Sequence, residues 1–526
     1  MSSDVLPPLA AQGPDAARAA MGPVTGRDWF WPIVLGFLVF WLVESCLGAP
    51  RGGAPDVFVY KEPGCNMAAG LGFTAWGMPG TGDLDRHLFA TSGPAIPFLF
   101  GLVASVLGCT GRVNTLFELS FAAVSTIGIA YLLAPSLSRR WRPALALLIG
   151  LALPSGLLVS EIDRPGVPAF PIFLLACLAA RAPRPLLRTV LAPYLAGICA
   201  VFFPFGGALA GLAVWVIAAG MEPPTLAAIS RLAARQFAAF LVPIALVMAL
   251  YGWLDPTAGA RFLGNGFGSH TGAGAVLSNS YGRLLGEATF SAGAYSLSLV
   301  TSSAFSVAIV LAFAVVRGSR RLADLVLLCG LAAFPLVTVL IFPKQSDYMA
   351  WARTGLVVLL LCSAAPLAQR ARRSQFVAIL VALGCLANIP FVWMETLKQV
   401  QTATDYRLAQ TDAATFATTL ARAPSGGVAV PSGVYFLYKP LLPQLVDLEF
   451  LHELVHGPSD LAGIAACYRG SRDGTPVGED VLSPHPYLPP LIPLSRARSH
   501  YVPTVFGVRV SRTEWGWSCD HYLTQR

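Results

Sequence analysis

The chain has 526 residues, of which 55% are hydrophobic and only 12% charged, against about 45–50% and about 25% in an ordinary soluble domain. Its mean hydropathy is +0.63, its formal net charge +8 and its isoelectric point near 9.0. These values exclude a disordered chain and argue against a soluble cytosolic enzyme. Apolar runs near 20 residues read as membrane spans, so the fold class expected is an α-helical polytopic membrane protein. The basic surplus is mostly arginine, with lysine only at Lys61, Lys344, Lys398 and Lys439. The basic residues stand in short clusters between apolar runs. That is a topology signal and not the footprint of a nucleic-acid binder, so no nucleic-acid partner is expected. The ten cysteines have no CxxC spacing, which gives no zinc or iron–sulfur pattern. Cys177, Cys199, Cys329, Cys362 and Cys385 lie inside apolar runs and are expected to be inert packing residues.

In chain order, residues 1–28 are rich in Ala, Pro and Gly. They read as a cytoplasmic tail before an uncleaved first span, since no small-residue cleavage site follows the apolar run closely. Spans are expected at about 29–47, 115–135, 143–160, 166–180, 189–204, 206–220, 237–253, 294–316, 323–341, 351–368 and 376–393, about 11 in all. The arginines test this frame. Arg139, Arg140 and Arg142 follow the second span, Arg181, Arg184 and Arg188 the fourth, and Arg231 and Arg235 the sixth. Arg317, Arg320 and Arg321 follow the eighth, and Arg370, Arg372 and Arg373 the tenth. Every even span thus ends in a basic cluster, which puts these ends and the N-terminus in the cytoplasm. An error at one span would invert every later cluster.

The run 93–108 is apolar but short, with Pro94 and Pro97 breaking its start. Counted as a full span it would put the Arg139–Arg142 cluster outside. It is therefore expected to be a re-entrant or interfacial juxtamembrane helix within the first outer loop, residues 48–114. Residues 29–393 form the expected transmembrane catalytic domain. Beyond about 394 the chain turns hydrophilic for long enough to make a small domain. Residues 428–438 (VAVPSGVYFLY) and 444–451 (QLVDLEFL) read as strands, and 412–423 and 459–469 as amphipathic helices. That predicts an extracytoplasmic α/β domain over 394–526, in which Cys467 and Cys519 could pair in an oxidising compartment.

The chemistry is expected on the outer face. The first outer loop carries Asp56, Tyr60, Lys61 and Glu62, then Gly70-Leu71-Gly72-Phe73. Asp56 and Tyr60 are one helical turn apart and would share a face if this stretch is helical. A carboxylate at the mouth of a cavity can serve as general base toward a hydroxyl; the plain alternative is an exposed loop acid. The Asp-x-x-x-Tyr stretch directly after the first span, the Gly-x-Gly-Phe turn, the juxtamembrane helix at 93–108 and an acid in the second outer loop, Asp163, occur in that order.

This order resembles the GT-C superfamily of polytopic membrane glycosyltransferases. It is most similar to the branch that includes protein O-mannosyltransferases and aminoarabinose transferases. The resemblance covers residues 29–180 in detail and the rest through span number and the C-terminal outer domain. It implies a sugar donor on a polyprenyl phosphate, inversion at the anomeric carbon, and an acceptor hydroxyl on a glycan, lipid or protein. It gives Asp56 the role of general base, with Asp163 completing the catalytic pair and Tyr60 and Glu62 touching substrate. Many members carry an acidic pair where this chain has Val57 after Asp56, so no metal is assigned and no cofactor is expected with certainty. The departing phosphate needs a cation. The family's Lys-Pro-Pro step is absent, which leaves Arg86, His87, Lys344 and Arg353 as candidates. Asp163 and Lys344 each have a plainer reading as an ion pair with a neighbour, Arg164 and Asp347. The long Gly-rich loop 254–293, with His270, Asn279, Tyr281 and Arg283, is a candidate sugar or acceptor contact.

Two other functions compete. His452-Glu453-Leu454-Val455-His456 fits the H-E-x-x-H zinc-protease pattern, but Gly457 and Pro458 end any helix at the second His. A transporter or flippase for a lipid-linked glycan would have a similar number of spans, but the two-half symmetry common in such carriers is not evident. The expected place is the bacterial inner membrane, multi-pass, with the C-terminal domain in the periplasm.

Overall fold

The computed structural model describes residues 26–43, 47–48, 57–75, 88–90, 93–133, 141–159, 165–219 and 225–263. It also describes single positions between 379 and 414, then 427–430, 435–442, 445–447, 506–513 and 516–524. In chain order the helices are α1 (Gly26–Leu42), α2 (Val57–Tyr60), α3 (Glu62–Ala68), α4 (Ala95–Leu107), α5 (Gly111–Leu133), α6 (Arg142–Val159) and α7 (Gly166–Ala180). After a π turn at Leu187–Leu191 come α8 (Ala192–Phe202), α9 (Pro204–Ala219), α10 (Leu226–Leu254), α11 (Ala258–Leu263) and α12 (Tyr435–Tyr438).

The first seven expected spans correspond to α1, α5, α6, α7, α8, α9 and α10. The fourth runs over 166–180, as expected, because Pro165 stands just before it and Arg181 closes its apolar run. The seventh differs. It starts at Leu226, with the Thr225 hydroxyl accepting from the Ala228 N–H. Arg231 and Arg235 therefore sit on its first turns and not in a loop. The run 93–108 forms α4 of 13 residues, about 20 Å long at 1.5 Å per residue and too short to cross a hydrocarbon core of about 30 Å. Pro97 lies in its first turn, where the missing N–H has no intrahelical partner to lose.

Among the described residues, Gly111–Tyr131 and Leu226–Leu254 are long and apolar enough to cross a membrane. α10 carries an exposed apolar stripe of Phe237, Leu241, Val242, Leu246, Leu250 and Trp253, the last 80% exposed. A contiguous apolar face of this kind is stable against lipid and costly in water.

The core runs through α1, α4 to α9 and α12, with Phe100, Phe170, Phe173, Ala196, Ala213 and Tyr435 fully buried. Ala382, Cys385 and Ile389 join it, and their spacing of three and four residues marks one face of a helix in the expected eleventh span. Cys177, Cys199 and Cys385 are buried packing residues, and the Cys199 thiol donates to the Ala169 carbonyl at 3.7 Å. Cys329 and Cys362 lie outside the described residues.

Small residues let helices touch. A Cβ on Gly36 of α1 would lie 2.7 Å from the Leu147 carbonyl oxygen and 3.1 Å from Gly150 Cα on α6, the close approach typical of helix pairs in membranes. Gly36→Val is expected to cost about 1–3 kcal/mol by overpacking, read as a lower Tm of the purified full-length protein.

Several contacts tie helices near their ends. Trp29 at the start of α1 meets Tyr131 at the end of α5, with ring centroids 5.6 Å apart. Gln236 near the start of α10 donates to the Arg188 carbonyl at 3.1 Å. At the opposite end, Phe40 packs with Leu119, Ala122 and Val167 and meets the Trp393 ring at 6.2 Å. Tyr251 near the end of α10 donates to the Phe89 carbonyl at 2.8 Å. These contacts join the end of α1 to α5 and the start of α7, and the chain just before α4 to the end of α10.

In the C-terminal part, β1 (Gly427–Val430), β2 (Leu445–Asp447), β3 (Phe506–Thr513) and β4 (Gly516–Thr524) form a sheet of order β2-β1-β3-β4. β1 runs parallel to β2 and antiparallel to β3, which pairs antiparallel with β4. The expected strand over 428–438 stops at Val430. Pro431 lacks a ladder donor, and Tyr435–Tyr438 is helical instead. The β3–β4 hairpin was not foreseen, although Val508 and Val510 alternate with polar residues. Cys519 lies on β4 opposite Val510; Cys467 is outside the described residues, as is the expected helix 459–469.

Candidate active site

The first outer loop is built as a braced knot. α2 buries Val57 and Phe58 completely, and α3 buries Glu62, Pro63, Gly64, Cys65 and Asn66. Tyr60 is half-buried. The stretch after Asp56 is helical, as a shared face for Asp56 and Tyr60 requires, but the helix begins at Val57 and Asp56 lies outside the described residues.

A disulfide, an ion pair and a hydrogen bond hold the knot. Cys65 and Cys109 form a disulfide, with Cα atoms 5.5 Å apart, joining α3 to the turn between α4 and α5. The fully buried Lys61 ammonium pairs with the Glu118 carboxylate on α5. It also lies 4.6 Å from the Phe117 ring centroid and 5.2 Å from that of Phe100, both cation–π distances. Lys439, just after α12, donates to Asn66 Oδ1 at 2.5 Å, across 373 residues of sequence. Burial pushes the Lys439 ammonium below its ordinary value, and the Glu62 carboxylate opposes that shift.

Packing completes the brace. A Cβ on Gly64 would lie 2.3 Å from the Pro97 carbonyl oxygen, and one on Gly101 would lie 2.9 Å from Gly64 Cα, so α3 and α4 touch only because both residues are glycine. Phe58 meets Tyr435 at 4.8 Å, and Phe100 meets Phe436 at 6.3 Å, both edge-on. The Gly-x-Gly-Phe turn has positive φ at Gly70 (75°) and Gly72 (82°), a conformation glycine adopts without strain. Asn66 Nδ2 donates to the Thr74 carbonyl at 2.8 Å, closing the turn.

A second corner adjoins this knot. The Arg261 guanidinium on α11 bonds Asp255 Oδ2 at 2.5 Å and the Leu88 carbonyl at 3.3 Å. This holds the chain directly after Arg86 and His87 against the end of α10.

Of the expected site residues, Tyr60 and Glu62 fall in the knot. Asp163, Arg86, His87, Lys344 and Arg353 lie outside the described residues. So do His452, Glu453 and His456 of the zinc-protease pattern and the loop residues His270, Asn279, Tyr281 and Arg283. No group of three or more His, Cys, Asp or Glu that could hold a metal occurs among the described residues. Sequence reasoning missed Lys61, Glu118, Asn66, Lys439, Arg261 and the Cys65–Cys109 bond. Glu118 was legible: it is an acid inside the second expected span, and such a residue is a functional flag by default.

No family model matches the chain, and no curated protein does. Among solved structures it is similar to the oligosaccharyltransferase of Archaeoglobus fulgidus tethered with an acceptor peptide containing the NVT sequon. That likeness has 12% identity, 84% of this chain, 66% of that chain and a TM-score of 0.44. The apo form of the same enzyme gives 12%, 82%, 66% and 0.42. The archaeal oligosaccharyltransferase AglB from Archaeoglobus fulgidus in complex with an inhibitory peptide and a dolichol-phosphate gives 12%, 71%, 56% and 0.38. The chain spans just under two thirds of the length of the first of these.

Proposed function

We propose that the protein is an integral-membrane glycosyltransferase of the GT-C type. It moves a sugar from a polyprenyl-phosphate donor to an acceptor hydroxyl on the outer face of a bacterial inner membrane. Residues 394–526 form a periplasmic domain beside the site. One observation carries the reading. The stretch after Asp56 is not a free loop but a buried, disulfide-tied knot at one end of an apolar helical bundle. That supports a placed Asp56 over an exposed loop acid. The Cys65–Cys109 bond supports an oxidising, extracytoplasmic side for this end.

In the reaction, the Asp56 carboxylate takes the proton of the acceptor hydroxyl. The freed oxygen pair attacks the anomeric carbon from the face opposite the leaving group, and the bond from that carbon to the phosphate oxygen breaks. The sugar is inverted and polyprenyl phosphate leaves as an anion, which a cation among Arg86, His87, Lys344 and Arg353 receives. Asp163 completes the acidic pair, and Tyr60 and Glu62 line the acceptor side. The acceptor is a glycan, lipid or protein hydroxyl.

Asp56→Asn tests the base. It keeps size and removes basicity, and the loss expected for a general base is at least about 100-fold in transfer. Glycan profiling of cells that carry the variant at wild-type level measures it. Unchanged glycosylation would overturn the proposed role.

A further inference from the structure

We propose that Lys439 is a positioning residue for the outer site: through Asn66 it fixes the short helix that follows Asp56, so the C-terminal segment sets the site's shape. The inference rests on the glycosyltransferase reading only for what the site does; the clamp itself rests on geometry.

Lys439 is 6% exposed, and Glu62 and Asn66 are fully buried. Its ammonium donates to Asn66 Oδ1 at 2.5 Å and lies 5.9 Å from the Tyr435 ring centroid. Asn66 in turn donates from Nδ2 to the Thr74 carbonyl, so one amide ties Lys439 on one side to the Gly70–Phe73 turn on the other. Glu62 supplies the opposing charge. Around this polar centre, Phe58 packs on Tyr435 and Phe100 on Phe436.

The chemistry of the contact explains why it acts on geometry and not on stability alone. A buried hydrogen bond is poor glue, since apolar groups of the same shape in place of both partners can hold as well. What it adds is register. Phe58, Tyr435, Phe100 and Phe436 would pack in several offsets, whereas an ammonium on one amide oxygen is satisfied in one. The disulfide and the Lys61–Glu118 pair tie the same knot to α4 and α5. Lys439 ties it to the C-terminal part of the chain, at the end of α12. Phe58, two positions before Tyr60, packs on Tyr435, which stands four residues before Lys439.

The test uses full-length protein in detergent micelles with three variants: Lys439→Met, Lys439→Arg and Asn66→Leu/Lys439→Met. The readouts are amide hydrogen exchange over 57–75, binding of undecaprenyl phosphate, and transfer by glycan profiling in cells. Lys439→Met is expected to speed exchange over 57–75 by about tenfold while leaving α7 and α8 unchanged. It is expected to lower transfer by about 10- to 100-fold, the scale of a small misplacement of reacting groups, with lipid binding retained. Lys439→Arg should restore both exchange and transfer. If Lys439→Met does not accumulate, the double variant, which removes both polar partners, takes its place under the same criteria. Unchanged exchange over 57–75 overturns the clamp. Faster exchange with wild-type transfer makes Lys439 structural only and overturns the positioning role. If wild-type protein binds no undecaprenyl phosphate and Asp56→Asn leaves glycans unchanged, the proposed function fails instead, and the exchange data still decide the clamp.

Discussion

Lys61→Met is expected to destabilise the protein by about 3–5 kcal/mol, the range for removing one member of a buried ion pair. Lys61 is fully buried and pairs with Glu118, itself 2% exposed, between the rings of Phe100 and Phe117. The variant keeps the length of the side chain but leaves the Glu118 charge in an apolar wall without that cation. Glu118→Leu should cost a similar amount for the mirror reason. Lys61→Met/Glu118→Leu should recover most of the loss, because apolar replacement of a whole buried pair is often neutral or stabilising. Unfolding of the full-length protein in detergent, run as a double-mutant cycle, measures the coupling. Two additive single losses with no recovery in the double would show that the pair does not act as a unit.

Cys65→Ala/Cys109→Ala is expected to cost about 4 kcal/mol, from the loop entropy of a closure across some 40–50 residues; the two cysteines are 44 positions apart. The bond clips α3 to the α4–α5 turn, so the loss should appear first as faster local opening of residues 57–75. A reducing agent should lower the Tm of the wild type and leave that of the double variant unchanged. Equal responses of the two proteins would mean that the bond contributes nothing to folding.

The helical part was legible because its signals are local: an apolar run bounded by Pro165 and Arg181 defines α7 within the sequence itself. The start of α10 was misplaced because Arg231 and Arg235 look like loop residues, while helical geometry let the Thr225 cap reach past them. The site was less legible for a different reason. Lys61–Glu118 joins positions 57 apart and Lys439–Asn66 positions 373 apart. Periodicity carries no information on such distances. Two clues were nonetheless present: lysine is rare in this chain, and Cys65 and Cys109 lie in the same outer loop.

The length of α10 has a consequence for depth. Its 29 residues make a rod of about 44 Å, longer than a hydrocarbon core of about 30 Å. From Arg235 to Leu254 the rise is only about 29 Å, which matches that core. With Arg235 at one membrane surface, Asp255 would come out near the other, and the Asp255–Arg261–Leu88 corner with it. The helix length then sets the corner's depth: inserting or deleting one turn between Arg235 and Tyr251 would move it about 5 Å along the helix axis.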